Sequence, residues 1–227
     1  MDFALPVPPY RLSGVVYATL LNDPAQVRDL GDRAYEAPYK EPPVAPVLGL
    51  KPRNTIVSND AAIVVPPGVE HLAMGPSLGI VIGRPACRVA AAEARDVIAG
   101  FVVVNDISIP VPSHYRPAVR FRARDGFCPI SSDFATWDAL PGPPDSLRVA
   151  VQIEGRLVHA GSTSGRTRGV CKLLADVTEF MTLQPGDVLL LGGPAAAPVA
   201  GPGSHVRIEI EGVGALQNRY VAAEATA

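Results

Sequence analysis

Cysteine is scarce and scattered: Cys87, Cys128 and Cys171 are the only three. An odd number at such spacings excludes a disulfide framework and a cysteine-based zinc site, and it predicts a reducing, cytoplasmic setting. Aromatic residues make up 6% of the chain, with one tryptophan, so no stacking platform for single-stranded nucleic acid is expected. Neither charge sign dominates. The 20 Lys and Arg face 22 Asp and Glu, which gives no reason to bind nucleic acid or an anionic lipid surface. The most apolar stretch, residues 188–203, is broken by Pro194, Pro198 and Pro202, which excludes a helical membrane span. The opening MDFALPVPPYRLSG has no basic region and no apolar core, so no signal peptide is expected. His71, His114, His159 and His205 never fall three or four apart, which removes a helical zinc signature.

What the chain does have is proline, glycine and short apolar runs. The 24 prolines and 21 glycines lie between hydrophobic stretches, where they read as turn punctuation in a β-rich chain. Runs at 47–51, 55–57, 62–65, 78–82, 102–106, 148–153, 187–191 and 205–210 are bounded by Gly, Pro, Asn or Asp, as strands are. Glu154-Gly155 reads as a tight turn joining 148–153 to 157–160. Helices are predicted at 90–99, which is alanine-rich and closed by Gly100, and at 170–180, where Val170, Leu173, Leu174 and Val177 share a face. A short third helix at 24–30 has Asp23 as N-cap and Pro24 at its first position. Many strands, few helices and no strand–helix alternation predict an α+β fold with a curved β core. Residues 1–45 are expected to form an N-terminal segment packed on a unit spanning 46–227, one domain in all.

Two stretches place charge where chemistry would use it. If 119–124 is extended, Arg120, Arg122 and Arg124 share one face and Val119, Phe121 and Ala123 the other. Three neighbouring guanidiniums call for an anion, either a polycarboxylate or a phosphate; a wet, exposed strand is the alternative. The apolar run from Val102 ends at Asn105-Asp106. A carboxylate there needs a cation, which a hard metal ion would supply; a turn-capping Asp is the alternative. Among the histidines, only His114, beside the arginines, is a functional candidate. Gly161-Ser162-Thr163-Ser164-Gly165 lacks the context of a nucleophile elbow, and Gly192-Gly193-Pro194 lacks the lysine of a phosphate loop.

Taken in order, several segments resemble the fumarylacetoacetate hydrolase family over nearly the whole chain. They are Tyr39-Lys40-Glu41-Pro42-Pro43, Leu50-Lys51-Pro52-Arg53-Asn54-Thr55, Ile80-Val81-Ile82-Gly83, Asn105-Asp106, Arg116-Pro117, Arg124-Asp125-Gly126-Phe127-Cys128-Pro129 and Leu183-Gln184-Pro185-Gly186-Asp187. The second, fifth and sixth look closest to the homoprotocatechuate (4-hydroxyphenylacetate) branch. There two family units, fused in some bacteria and separate chains in others, act as decarboxylase and isomerase. This chain is similar to the first, N-terminal-type unit. The resemblance implies a β-rich mixed roll or sandwich with a few peripheral helices. It also implies a magnesium or manganese ion that chelates a 2-oxo acid and withdraws electrons from it. Family ligands are a Glu-x-Glu on one strand and an Asp on the next. The Asp matches Asp106. The glutamates fall on Gly75 and Ser77, within the stretch HLAMGPSLGIVIG. A family lysine aligns with Arg122, a substrate-contacting Gly-Thr-Pro with Gly192-Gly193-Pro194, and a lid His-Glu pair with Gln26 and Asp29.

By this resemblance Arg122 and Asp125 would be catalytic, and Arg116, Arg120, Arg124 and Gly193 would bind substrate. Asp106 would remain as a weakened metal ligand, so magnesium or manganese binding by the chain alone is in doubt. The implied substrate is a small anionic 2-oxo acid, and the implied partner a homologous subunit or second copy, with no nucleic acid and no membrane. The implied function is that of a subunit decarboxylating 5-oxopent-3-ene-1,2,5-tricarboxylate and isomerising 2-hydroxyhepta-2,4-diene-1,7-dioate. The alternatives are a structural subunit with a dead pocket, or a self-sufficient acylpyruvate hydrolase or oxaloacetate decarboxylase with Glu70 or Asp125 as replacement ligands.

Overall fold

The computed structural model describes residues 15–110 and 118–223; His114 and Arg116 lie outside them. Its strands are β1 (Val16–Leu20), β2 (Val47–Lys51), β3 (Ile56–Val57), β4 (Ala62–Val65), β5 (Leu72–Ala73), β6 (Pro76–Ile82) and β7 (Ile98–Asn105). They continue as β8 (Cys128–Pro129), β9 (Arg148–Ile153), β10 (Arg156–Ser162), β11 (Val188–Leu190), β12 (Val199–Ala200), β13 (His205–Ile210) and β14 (Gly214–Ala222). The helices are α1 (Pro24–Leu30), α2 (Ala94–Val97), α3 (Val119–Arg122) and α4 (Val170–Thr178).

One sheet runs β2-β1-β11-β6-β7 and the other β10-β9-β13-β14-β4. Each contains one parallel pair, β1 with β11 and β14 with β4. Leu78, Ile80 and Phe101 of the first sheet share a core with Val151, Ile208 and Leu216 of the second, and α4 adds Leu173, Leu174 and Val177. The other face of the first sheet is also covered, around Val16, Val81, Val102 and Val188. This is why β6 is buried at every position and reads as a continuous apolar run. The β-rich α+β architecture is the expected one, and no helix among the described residues is long and apolar enough to cross a membrane.

Local signals held where they were strong. Strands β2, β4, β9 and β13 have the expected bounds. Helix α1 starts at Pro24, and Asp23 Oδ1 accepts a hydrogen bond from the Ala25 N–H at 2.9 Å. Glu154 and Gly155 both take positive φ, 50° and 72°, as a two-residue hairpin turn requires.

Two expectations are corrected. Residues 90–99 are not one helix: a 3₁₀ turn at Ala91–Glu93 leads into the single turn of α2, and Ile98 already pairs with Ile82. Sheet pairing outweighs the weak preference of alanine for helix. Residues 119–124 are not a strand. The Phe121 and Arg122 N–H groups both donate to the Ala118 carbonyl, at 2.9 and 3.0 Å, and close the turn of α3. Alternation over six residues cannot by itself tell strand from helix.

Candidate functional site

A cavity of about 320 Å³ opens where α1, the end of β7, α3 and the loop after β11 converge. Thr19, Gln26, Gly75, Asp106, Arg122 and Gly193 are among the residues of its wall. Its size suits a small organic acid.

At its base is a buried charge cluster. Asp106 follows β7 and is 9% exposed; Lys51 ends β2 and is 1% exposed. Lys51 Nζ lies 2.7 Å from Asp106 Oδ1. Its ammonium also donates to the carbonyls of Ile107 (2.7 Å), Arg122 (2.9 Å) and Phe127 (3.0 Å). Three protons serve three carbonyls. Oδ1 therefore feels the charge but accepts no hydrogen bond. Arg122 pairs with the other oxygen, Oδ2. Burial pushes the Asp106 carboxyl up, but the Lys51 and Arg122 charges outweigh it and hold it below the usual carboxylate range. Cys128 lies beside the same charges; burial pushes its thiol up to about 12, which leaves it inert as a nucleophile.

The depressed carboxyl has a consequence for acid stability. A folded-state pKa below the unfolded one stabilises the fold above the unfolded value, near 4, and that stabilisation is lost as pH falls through the folded value. Urea midpoints measured from pH 6 down to pH 2 should fall more steeply for the native chain than for Asp106→Asn. Parallel curves would show that the carboxyl titrates as an ordinary one.

Three buried side-chain atoms have no hydrogen-bond partner among the described residues: Thr19 Oγ1, Asp106 Oδ1 and Arg166 Nε. All three belong to this cavity's surroundings. Thr19 and Asp106 line it, and Arg166 donates to the carbonyl of Gly193 in its wall at 3.1 Å. Because buried polar atoms are normally satisfied, their gathering at one cavity makes it the candidate site. Gln26 and Asp29 of α1 also line the cavity. Asp23 Oδ2 accepts from Arg166 (2.9 Å) and from the Ala195 N–H (3.2 Å), which pins the start of α1 to the loop after β11.

The residues present do not compose the family's cation shell. Magnesium takes six oxygens in near-octahedral array, usually with carboxylates among them. Here the single carboxylate already serves two cations. A Cβ on Gly75 would stand 2.8 Å from the Asp106 carbonyl oxygen, and one on Gly193 would stand 3.0 Å from Gly75 Cα. Ser77 Oγ accepts from the Gly192 N–H at 3.0 Å and donates to the Leu78 carbonyl at 3.3 Å. Among the described residues no three His, Cys, Asp or Glu side chains converge to hold a metal. Neither Glu70 nor Asp125 lines this cavity.

The arginines separate. Arg122 enters the cavity, whereas Arg120, Arg124 and Asp125 line a different surface depression with Val64 and Phe127. A helix turns about 100° per residue, so positions two apart do not share a face as they would on a strand. Asp125 accepts from Asn54 at 2.7 Å, and Arg124 donates to the Arg120 carbonyl at 3.1 Å. Gly193 lies in the cavity wall against Gly75. Sequence reasoning missed Lys51, Thr19 and Arg166. The one available signal for Lys51 was that a buried Asp at a strand end requires a cation, but spacing does not say which.

The family profile described as "Fumarylacetoacetate (FAA) hydrolase C-terminal" matches residues 15–221. The chain is 36% identical over 210 residues to the homoprotocatechuate catabolism bifunctional isomerase/decarboxylase of Escherichia coli, covering 92% of this chain and 48% of that protein. It thus spans about half the length of the curated relatives it matches. Among solved structures it resembles a 5-carboxymethyl-2-hydroxymuconate delta-isomerase from Mycobacterium smegmatis, with a TM-score of 0.77, 28% identity, and 92% of this chain and 77% of that one covered. A 2-hydroxyhepta-2,4-diene-1,7-dioate isomerase from Mycobacterium marinum superimposes with a TM-score of 0.75 at 28% identity, covering 94% of this chain and 76% of that one.

Proposed function

The chain belongs to the fumarylacetoacetate hydrolase family, and on that premise we propose that it is one unit of a bifunctional isomerase/decarboxylase of 4-hydroxyphenylacetate degradation. The observation that carries this reading is the match of nearly the whole chain to half of a protein of that name. The proposed reactions are decarboxylation of 5-oxopent-3-ene-1,2,5-tricarboxylate and isomerisation of 2-hydroxyhepta-2,4-diene-1,7-dioate. Both pass through an enolate of a 2-oxo acid, so both need positive charge held near the developing oxyanion. Arg122, in the cavity wall, supplies it. Asp106 and the carbonyls around Lys51 fix that part of the wall. Gln26 and Asp29 on α1 stand in the cavity wall beside the substrate. Turnover requires a homologous unit that keeps the glutamates replaced here by Gly75 and Ser77.

The test is an assay of both reactions with the purified chain, with a homologous unit from the same pathway, and with the two mixed. The expected result is no turnover by the chain alone and a rate for the mixture above that of the homologous unit. Full turnover by the chain alone overturns the need for a partner. A mixture no faster than the homologous unit overturns the catalytic role and leaves a structural one.

A further inference from the structure

We propose that Arg122 stands in for the divalent cation in this cavity, so that the chain receives the carboxylate of a 2-oxo acid without metal. The inference rests on the reading of the cavity as a 2-oxo-acid site, and it assigns the recognition chemistry to a guanidinium.

Three observations carry it. Both oxygens of Asp106 already face a cation: Lys51 lies 2.7 Å from Oδ1, and Arg122 pairs with Oδ2. The ammonium cannot swing away, because its protons are committed to three buried carbonyls. The cluster therefore carries one net positive charge before any ligand enters, and a second cation would be repelled at short range.

The space is also closed. At the first glutamate position the backbone of Gly75 is packed against Asp106 on one side and Gly193 on the other, where added Cβ atoms would come within 2.8 and 3.0 Å of backbone atoms. Asn105 Oδ1 holds the Gly75 N–H at 3.1 Å, and the Asp106 N–H donates to the Gly75 carbonyl at 2.9 Å. At the second position Ser77 is turned to the Gly192 N–H.

Finally, Arg122 is equipped to hold an anion. A guanidinium has five N–H donors, and the Arg122 side chain, 14% exposed, has Asp106 as its one side-chain partner among the described residues. The side chain lines the cavity, where a ligand can reach it. Two parallel N–H groups fit a carboxylate better than a point charge does.

The experiment titrates oxalate, a compact 2-oxo-acid mimic, into the whole chain by calorimetry in EDTA and then in excess Mg²⁺. In parallel, the paramagnetic resonance signal of free Mn²⁺ is followed as protein is added. Corrected for the oxalate that Mg²⁺ itself chelates in solution, oxalate should bind with the same affinity in both buffers, and the Mn²⁺ signal should stay undiminished. Arg122→Ala should weaken oxalate about 30-fold. Arg122→Lys, which keeps the charge but not the fork, should recover only part of that loss; circular dichroism checks that both variants are folded. Oxalate binding only with Mg²⁺, or stoichiometric loss of the Mn²⁺ signal, overturns the replacement while leaving the 2-oxo-acid reading intact. No oxalate binding in either buffer, with Mn²⁺ also unbound, overturns the 2-oxo-acid reading and the inference with it.

Discussion

Lys51→Met should lower the free energy of unfolding by about 3–5 kcal/mol, the range measured when one member of a buried ion pair is removed. The side chain is 1% exposed and lies against Asp106, itself 9% exposed. Its loss strands the carbonyls of Ile107, Arg122 and Phe127 together with Asp106 Oδ1. Those carbonyls belong to three separate stretches, so the ammonium acts as a tie between β2, the end of β7, α3 and the start of β8. A double variant, Lys51→Met with Asp106→Leu, should recover part of the loss, because replacing a whole buried pair with apolar groups is often neutral. Arg122 can then turn its partly exposed head into the cavity. Urea unfolding of the three proteins measures this. A single-variant loss under about 1 kcal/mol, the range of exposed pairs, would show that the cluster contributes little to stability.

Arg122→Ala should separate activity from folding. In the complex with its homologous unit, kcat/KM should fall about 10²–10³-fold, the cost of removing one preorganised donor to a developing oxyanion. The unfolding free energy should fall far less than for Lys51→Met, since Lys51 still neutralises Asp106 and Arg122 reaches the cavity. Steady-state kinetics and urea midpoints on the same preparations give both numbers. If kcat/KM changes less than about 10-fold, or stability falls as much as for Lys51→Met, Arg122 is a structural residue and the cavity has a different electrophile.

These two residues also show what could and could not be read from the chain. Asp106 was identifiable because a carboxylate closing an apolar strand is costly alone. Arg122 was identifiable only as one of a cluster, and the wrong geometry was assigned to it. Residues 119–124 alternate as a strand would, yet they find no strand partner and close a helical turn on Ala118. That turn sends Arg122 to Asp106 and leaves Arg120 and Arg124 on another surface. Lys51 carried no local mark. Nothing in Val-Leu-Gly-Leu-Lys distinguishes a lysine that ends in solvent from one that ends under three carbonyls.

By itself, then, the sequence determined the β-rich α+β architecture, the start of α1 at its Asp23 cap, the apolar face of α4, the hairpin at Glu154-Gly155 and the family. Each depends on interactions within a few residues, or on an ordered set of short motifs. Tertiary structure alone decided that Lys51 and Arg122 meet on Asp106, that Gly75 packs against Gly193, and that unsatisfied polar atoms gather at one cavity. The physical reason is separation along the chain. Residues 51, 106 and 122 are brought together by the run of ladders β2-β1-β11-β6-β7 and by the turn of α3. A one-residue slip in any of these ladders would carry a site residue to the opposite face of its strand.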